Sequence, residues 1–241
     1  MRQIAIACII LCAAACTVCA AEDYPQIMIR AEFISVPKAV SDSVGRSAPD
    51  QLPSAKQILG FKQSGQATVL HSPTLLLQSG QESTVKAVQE VIYPTDFDVT
   101  SRAVTNDQGQ VSVATVITPS SFETREVGAI FCALPELDAK TLDVWLTFQA
   151  ELVAPPVWRR YTGQYTDTFG NSKTAELEQP FFFTRSVNTS IRIKNGTTVL
   201  AGGGMADQNG EAVTFLLIKV QLVNSEEDPV TVEPSTERYR R

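Results

Sequence analysis

Histidine and cysteine are scarce in the places where chemistry would need them. The 241 residues hold one histidine, His71, and five cysteines, four of which (Cys8, Cys12, Cys16 and Cys19) fall in the first twenty positions. Beyond that stretch only Cys132 remains, so no disulfide can form within the rest of the chain. Stability there has to come from packing and strand pairing. His71 with Cys132 would leave zinc under-coordinated. A Ser-His-Asp set drawn through His71 lacks the G-x-S-x-G elbow that would expose a nucleophile. His71 is therefore read as a strand-end side chain, facing solvent or capped, and Cys132, inside the apolar run AIFCAL, as a buried structural thiol. Gly202, Gly203 and Gly204 lack the Lys-Ser/Thr of a phosphate loop and the spacing of a dinucleotide fingerprint; a bulge or a close strand approach is expected instead. No catalytic set, metal or cofactor is expected.

Basic excess is missing too. Twenty Lys and Arg stand against 26 Asp and Glu, a net charge of −6. A phosphate-backbone partner requires a clustered basic face, so no nucleic-acid partner is expected. The basic-aromatic stretch Trp158, Arg159, Arg160 and Tyr161 is assigned to cation–π or interfacial packing. Phe181, Phe182 and Phe183 read either as a wedge toward a membrane or partner, or as a strand entering the core after Pro180.

Long apolar runs are absent after the start. Residues 4–15 form an apolar stretch behind Arg2, and Val18-Cys19-Ala20 is a small-residue cleavage pattern. This is the layout of a secretory signal peptide over 1–20, with cleavage after Ala20 expected. The rival is a lipoprotein signal acylated at Cys16 or Cys19. Either reading sends the protein out of the cytoplasm.

What remains is strand-like. Residues 27–36 mix β-branched and alternating positions up to Pro37, and 41–53 are polar with two prolines, which predicts a loop. Residues 54–64, with Ile58, Leu59 and Phe61, predict one short amphipathic helix stopped by Gly65. Short strands follow at 67–70, 74–78, 83–88, 90–93 (ended by Pro94), 101–104 and 111–117, the last two joined by a turn at Asn106 to Gly109. At 141–150, Leu142, Val144, Leu146, Phe148 and Ala150 alternate with a mainly polar set, a period of two with one apolar face. Asn195-Gly196 between 187–194 and 197–201 is the strongest hairpin signal in the chain. Residues 215–223 predict a strand covered on both faces. The segment from 224 to 241 is charged, contains proline and is expected to fray. Together these predict a mainly β fold, α+β at most.

Four ordered segments carry a resemblance. They are VLHSPTLLLQSGQE at 69–82 (with Ser72, Pro73 and Gly80), EVIYPTDF at 90–97 (Tyr93, Pro94), FETREVG at 122–128 (Phe122, Glu123, Thr124, Arg125, Gly128), and FTRSV at 183–187 (Thr184, Arg185) followed by NGTTVLAGG at 195–203 (Gly196, Gly202, Gly203). In this order they are similar to the pore-forming domain of the bacterial secretins, the ring channels of type II and type III secretion and type IV pilus systems. The resemblance runs from about 27 to 223. It implies a secretin-like β domain over 67–223 with long antiparallel strands, behind a short β segment, loop and helix at 21–66. Two inserts would be gate hairpins: 99–121, turning at Asn106 and Gly109, and 152–179, with turn candidates Gly163 and Gly170. The implied function is a non-catalytic, homo-oligomeric, gated channel subunit of the outer membrane. Its partners would be copies of itself or a related secretin, the outer membrane, and secreted protein or pilus cargo. Two departures favour an alternative, a periplasmic or surface module that docks on a true secretin. Only about fifty residues stand where full secretins carry ring domains, and 205–213 is a short polar turn where the family has its membrane lip.

Overall fold

The computed structural model describes residues 25–45, 52–105, 107–166, 170, 172–224 and 229; the expected signal peptide, Asn106 and most of the expected tail lie outside them. Among these residues the chain forms β1 (Gln26–Pro37), α1 (Lys38–Gly45), α2 (Ala55–Gln63), β2 (Thr68–His71), β3 (Thr74–Leu77), β4 (Ser83–Thr105), β5 (Val111–Leu137), β6 (Asp143–Val153), β7 (Val157–Thr166), β8 (Ser172–Phe181), β9 (Thr184–Lys194), β10 (Thr198–Ala206) and β11 (Ala212–Val223). The fold is mainly β, as the strand patterning predicts.

The strands sort into three sheets. Sheet A runs β10-β11-β1-β2, with β3 also paired to β1; sheet B runs β4-β5-β6-β9; β7 and β8 form a two-stranded ribbon. All ladders in them are antiparallel. Alternation explains which faces meet. On β6, Val144, Leu146, Phe148 and Ala150 are buried while Trp145, Thr147 and Gln149 are exposed. These inward residues join Phe131 of β5, Ile193 of β9, Ile29 of β1 and Ile218 of β11 in one cluster, so sheets A and B pack face to face. Fully burying an aliphatic or aromatic side chain of this kind contributes about 1.5–3 kcal/mol.

The other face of sheet A is covered over one half by helices. Ile58 of α2 packs on Ile34, Val36, Phe215 and Leu217. This double cover is why β11 reads as a nearly unbroken apolar run. Ser54 caps α2 reciprocally with Gln57, and Lys62 reaches Glu32 of β1 at 2.7 Å.

Several expectations are corrected. Among the described residues there are two helices instead of one: α1 occupies part of the predicted loop. Its Ser and Asp content disfavours a helix, but Val40 packs on the cluster beneath α2, and the Lys38 N–H donates to Glu211 O at 2.8 Å. Pro94 does not end a strand. β4 runs 23 residues through it, because the ladder is broken there by shifts on either side of Asp96, and a bulge needs no N–H at that point. Asn195-Gly196 is not a hairpin turn. β9 pairs β6 in sheet B and β10 pairs β11 in sheet A, so the turn is a corner between layers. It is fastened by the Gly196 N–H to Val220 O at 2.9 Å and the Leu222 N–H to Asn195 Oδ1 at 2.9 Å. Cys132 is half-buried on the outer face of sheet B, with its Sγ 3.1 Å from Glu82 Oε1. Its largest single influence, a hydrogen bond with Thr84, lowers its pKa; burial and Glu82 together outweigh this and push the thiol up.

Candidate functional site

β6 pairs β5 only up to Gly128↔Val153, and β9 pairs β6 only up to Val153↔Thr184. Gly128, Val153 and Thr184 therefore mark one line across sheet B where the packed layer stops. Two hairpins continue past it. The distal parts of β4 and β5 form the first, with 17 residues of β5 beyond Gly128, roughly 55 Å at about 3.3 Å per residue. The β7–β8 ribbon is the second, leaving the ends of β6 and β9.

Three of the sequence motifs lie at this line or on its hairpin side. Tyr93 and Pro94 lie on β4, and Phe122, Glu123, Thr124, Arg125 and Gly128 on β5. Thr184 and Arg185 open β9. Tyr93 stands opposite Glu123 and donates its hydroxyl to Glu123 Oε2 at 3.0 Å. That bond, then burial and the Glu123 charge, raise the phenol above its usual pKa. Arg125 donates to Glu151 Oε1 on β6 and to Thr184 Oγ1 on β9, both at 3.3 Å, and so ties three strands together at the line. Gly128 has φ +131°, and a Cβ there would collide with the Ala87 carbonyl oxygen. Only glycine lets β4 and β5 approach this closely as they leave the core. Arg185 is buried, its Nε–H donating to Ala206 O at 3.2 Å under the Phe183 ring. Burial lowers its pKa and Asp207 opposes this.

Other predicted residues sit elsewhere. Ser72 and Pro73 link β2 to β3, with Pro73 O accepting the Ala31 N–H at 3.0 Å. Gly80, in the turn before β4, donates to Pro135 O at 2.7 Å. Gly202 and Gly203 lie in β10 between register shifts, and a Cβ on Gly203 would come within 2.5 Å of the Phe215 ring. His71 ends β2, half-buried opposite Phe33. Gly109 lies in the turn between β4 and β5, and Gly170 between β7 and β8. Gly163 is a correction: it is inside β7 opposite Ala175, because the ribbon is in register over ten pairs and turns later.

The aromatic segments are resolved by geometry. Phe181 and Phe183 are 44% and 37% exposed and do not enter the core, while the Phe182 ring packs at 5.4 Å on Tyr93. Arg159 lies 4.5 Å above the Phe181 ring, and Arg160 pairs with Glu178 at 3.1 Å. Sequence reasoning missed Gln179, whose Nε2 donates to Pro94 O at 3.2 Å, and Glu151. Glu151 has a signal, its place in the outward set of β6; Gln179 has none. Among the described residues no group of three or more His, Cys, Asp or Glu could hold a metal ion, and no helix is long and apolar enough to cross a membrane, which leaves β-strand crossing untouched.

Comparison with known proteins identifies one family. The family described as "Secretin: Bacterial type II and III secretion system protein" matches residues 61–215. No curated protein sequence matches. Similar solved structures include the injectisome secretin InvG of the Salmonella SPI-1 type III system, at 12% identity and TM-score 0.38, covering 89% of this chain and 67% of that one. The type II secretin GspD of E. coli K12 is similar at 11% identity and TM-score 0.40, covering 84% of this chain and 51% of that one. GspD in the pilotin–secretin AspS–GspD complex of enterotoxigenic E. coli gives 11% identity and TM-score 0.41, covering 84% of this chain and 50% of that one. This chain thus spans half to two thirds of those chains. With well over half of its length matched by the family pattern, the chain belongs to the secretin family.

Proposed function

We propose that the chain is a non-catalytic subunit of a homo-oligomeric, gated export channel in the outer membrane, reached through a cleaved signal peptide at 1–20. Its two hairpins would project into the lumen and meet folded or fibrous cargo. The observation that carries this reading is the pairing state of the strands. Among the described residues, β4 and β9 are the outer strands of sheet B, β10 is an outer strand of sheet A, and β7–β8 has no further strand on either side. Open edges of this length invite aggregation unless copies close them into a wall. Half of residues 98–105 and 111–118 are Thr, Ser, Asp or Arg, which suits a hairpin with one side toward a water-filled lumen. The motif residues from Tyr93 to Arg185 would then hold the hairpin roots.

The chain should form heat-resistant multimers on denaturing gels and ring particles by negative-stain microscopy. A chain that stays monomeric in detergent and in lipid would overturn the reading.

One observation favours the alternative of a periplasmic or surface module docking on a true secretin. Where the family resemblance implies a membrane lip, β10 and β11 are joined by a tight polar turn: Asp207 donates its N–H to Ala212 O and accepts from the Glu211 N–H, both at 2.9 Å. Such a turn supplies no apolar band for lipid. Recovery entirely in membranes after salt and carbonate washing would exclude this alternative.

A further inference from the structure

The order of sheet B is β4-β5-β6-β9, and the β7–β8 ribbon runs from the end of β6 to the start of β9. Nothing in that connectivity requires the ribbon to meet β4, which lies on the far side of β5. Yet β8 touches β4. Gln179 Nε2 donates to Pro94 O at 3.2 Å, and Phe182, just past β8, stacks on Tyr93 at 5.4 Å with the rings tilted by 56°. These contacts bring the root of the ribbon against β4 itself. The two contacts also fall beside the register shifts from Pro94 to Phe97 that interrupt the ladder. The Gln179 amide thus donates to a carbonyl at the edge of the interruption.

The geometry points to a strap: the root of the β7–β8 ribbon, through Gln179 and Phe182, holds the β4–β5 hairpin at its Pro94 bulge, so the long hairpin cannot swing about that bulge until the strap lifts. The face of β8 that carries Gln179 supports this direction. Ala175 and Leu177, on the same side, are half-buried, whereas Glu176 and Glu178 on the opposite side are exposed. The two hairpins would therefore move in sequence, ribbon first. The strap is a property of one chain and does not depend on the channel reading. A chain that never forms rings would still carry it, so this test and the multimer test fail independently.

The experiment is amide hydrogen exchange by mass spectrometry on the full chain, comparing wild type with Gln179→Glu. The replacement keeps the side-chain length, but when ionised it has no donor for Pro94 O; once protonated, its O–H can donate again. At pH 7 exchange over residues 91–124 should be about tenfold faster than in wild type at the same pH, while β1 and β11 stay equally protected. The ratio should fall toward one as the pH approaches 4, where a glutamate carboxyl regains its proton. Phe182→Ala should accelerate the same peptides at both pH values, because it removes a ring instead of a donor. Equal exchange in wild type and Gln179→Glu at pH 7 overturns the strap. So does a Gln179→Glu acceleration that is unchanged at pH 4, or one shared by β1 and β11.

Discussion

Valine occupies the same kind of backbone in two parts of this molecule with opposite results. Val144 and Val220, on β6 and β11, are fully buried; Val99 and Val111, on the distal parts of β4 and β5, are 57% and 69% exposed. All four are paired in antiparallel ladders, but Val99 and Val111 have a strand on one side only, whereas Val144 lies between β5 and β9. A second difference is the third dimension. β6 and β11 face each other across the gap between sheets A and B, whereas the hairpins have run past the line at Gly128 where the facing layer stops. Alternation thus specifies that a strand has an apolar side, and says nothing about whether this chain supplies the cover. In one region the cover is internal. In the other, the proposed oligomer would have to provide it.

The comparison can be tested by substitution, starting with the largest effect. Phe148→Ala empties a position in the sheet–sheet core beside Phe131, whose ring is 6.1 Å away. It should cost about 3–5 kcal/mol in urea unfolding. Val111→Ala, in the same fold but outside the sandwich, should change the same measurement by no more than about 0.5 kcal/mol. It should instead lower multimer yield if copies cover that face. Equal losses for the two would erase the distinction between the regions.

Gly128→Ala sits at the boundary and should cost of order 3 kcal/mol, the upper end for a strained φ, because the new Cβ meets the Ala87 carbonyl oxygen. Exchange should accelerate first on the hairpin side of the line. If β1 and β11 open first, Gly128 belongs to the core and not to the junction.

Lys62→Met removes the partner of Glu32, a pair that is partly screened by solvent. A loss of about 1 kcal/mol or less is expected in thermal melts, with α2 separating from sheet A before the sandwich melts.

The smallest effect is electrostatic. The Lys140 N–H, then the Thr141 hydroxyl, hold Asp138 below the usual carboxylate range at the β5–β6 turn. A lowered folded pKa means that the ionised form stabilises the fold above the unfolded value of about 3.9, and that this contribution is lost as the pH falls through the folded value. Wild type should therefore melt slightly above Asp138→Asn at pH 6, with the gap closing below about pH 4. A gap independent of pH would assign the effect to shape instead of charge.

Much of the site was legible beforehand. Tyr93, Glu123, Arg125 and Thr184 belong to segments that stood out as an ordered set; Arg125 meets Thr184 near the line, and Tyr93 pairs with Glu123 on its hairpin side. Their partners were less visible. Glu151 could be placed on an outward face but not beside Arg125, since that requires the pairing of β5 with β6. Gln179 carried no signal, because its contact with Pro94 depends on the root of the ribbon packing against a strand distant in sequence. The Asn195-Gly196 corner shows the same limit. Local turn chemistry chose a tight reversal, and the docking of Gly196 onto Val220 decided that the reversal changes layers.

By itself the sequence determined the strand character, the inward faces of β6 and β11, the α2 helix and the family motifs. Each of these depends on residues within a few positions of one another, through side-chain period, capping and backbone restriction. The tertiary structure alone decided that Pro94 lies within a strand, that α1 is a helix, and that the sandwich ends at Gly128, Val153 and Thr184. Those outcomes depend on which distant backbone or side chain fills a neighbouring position, and no local pattern carries that information.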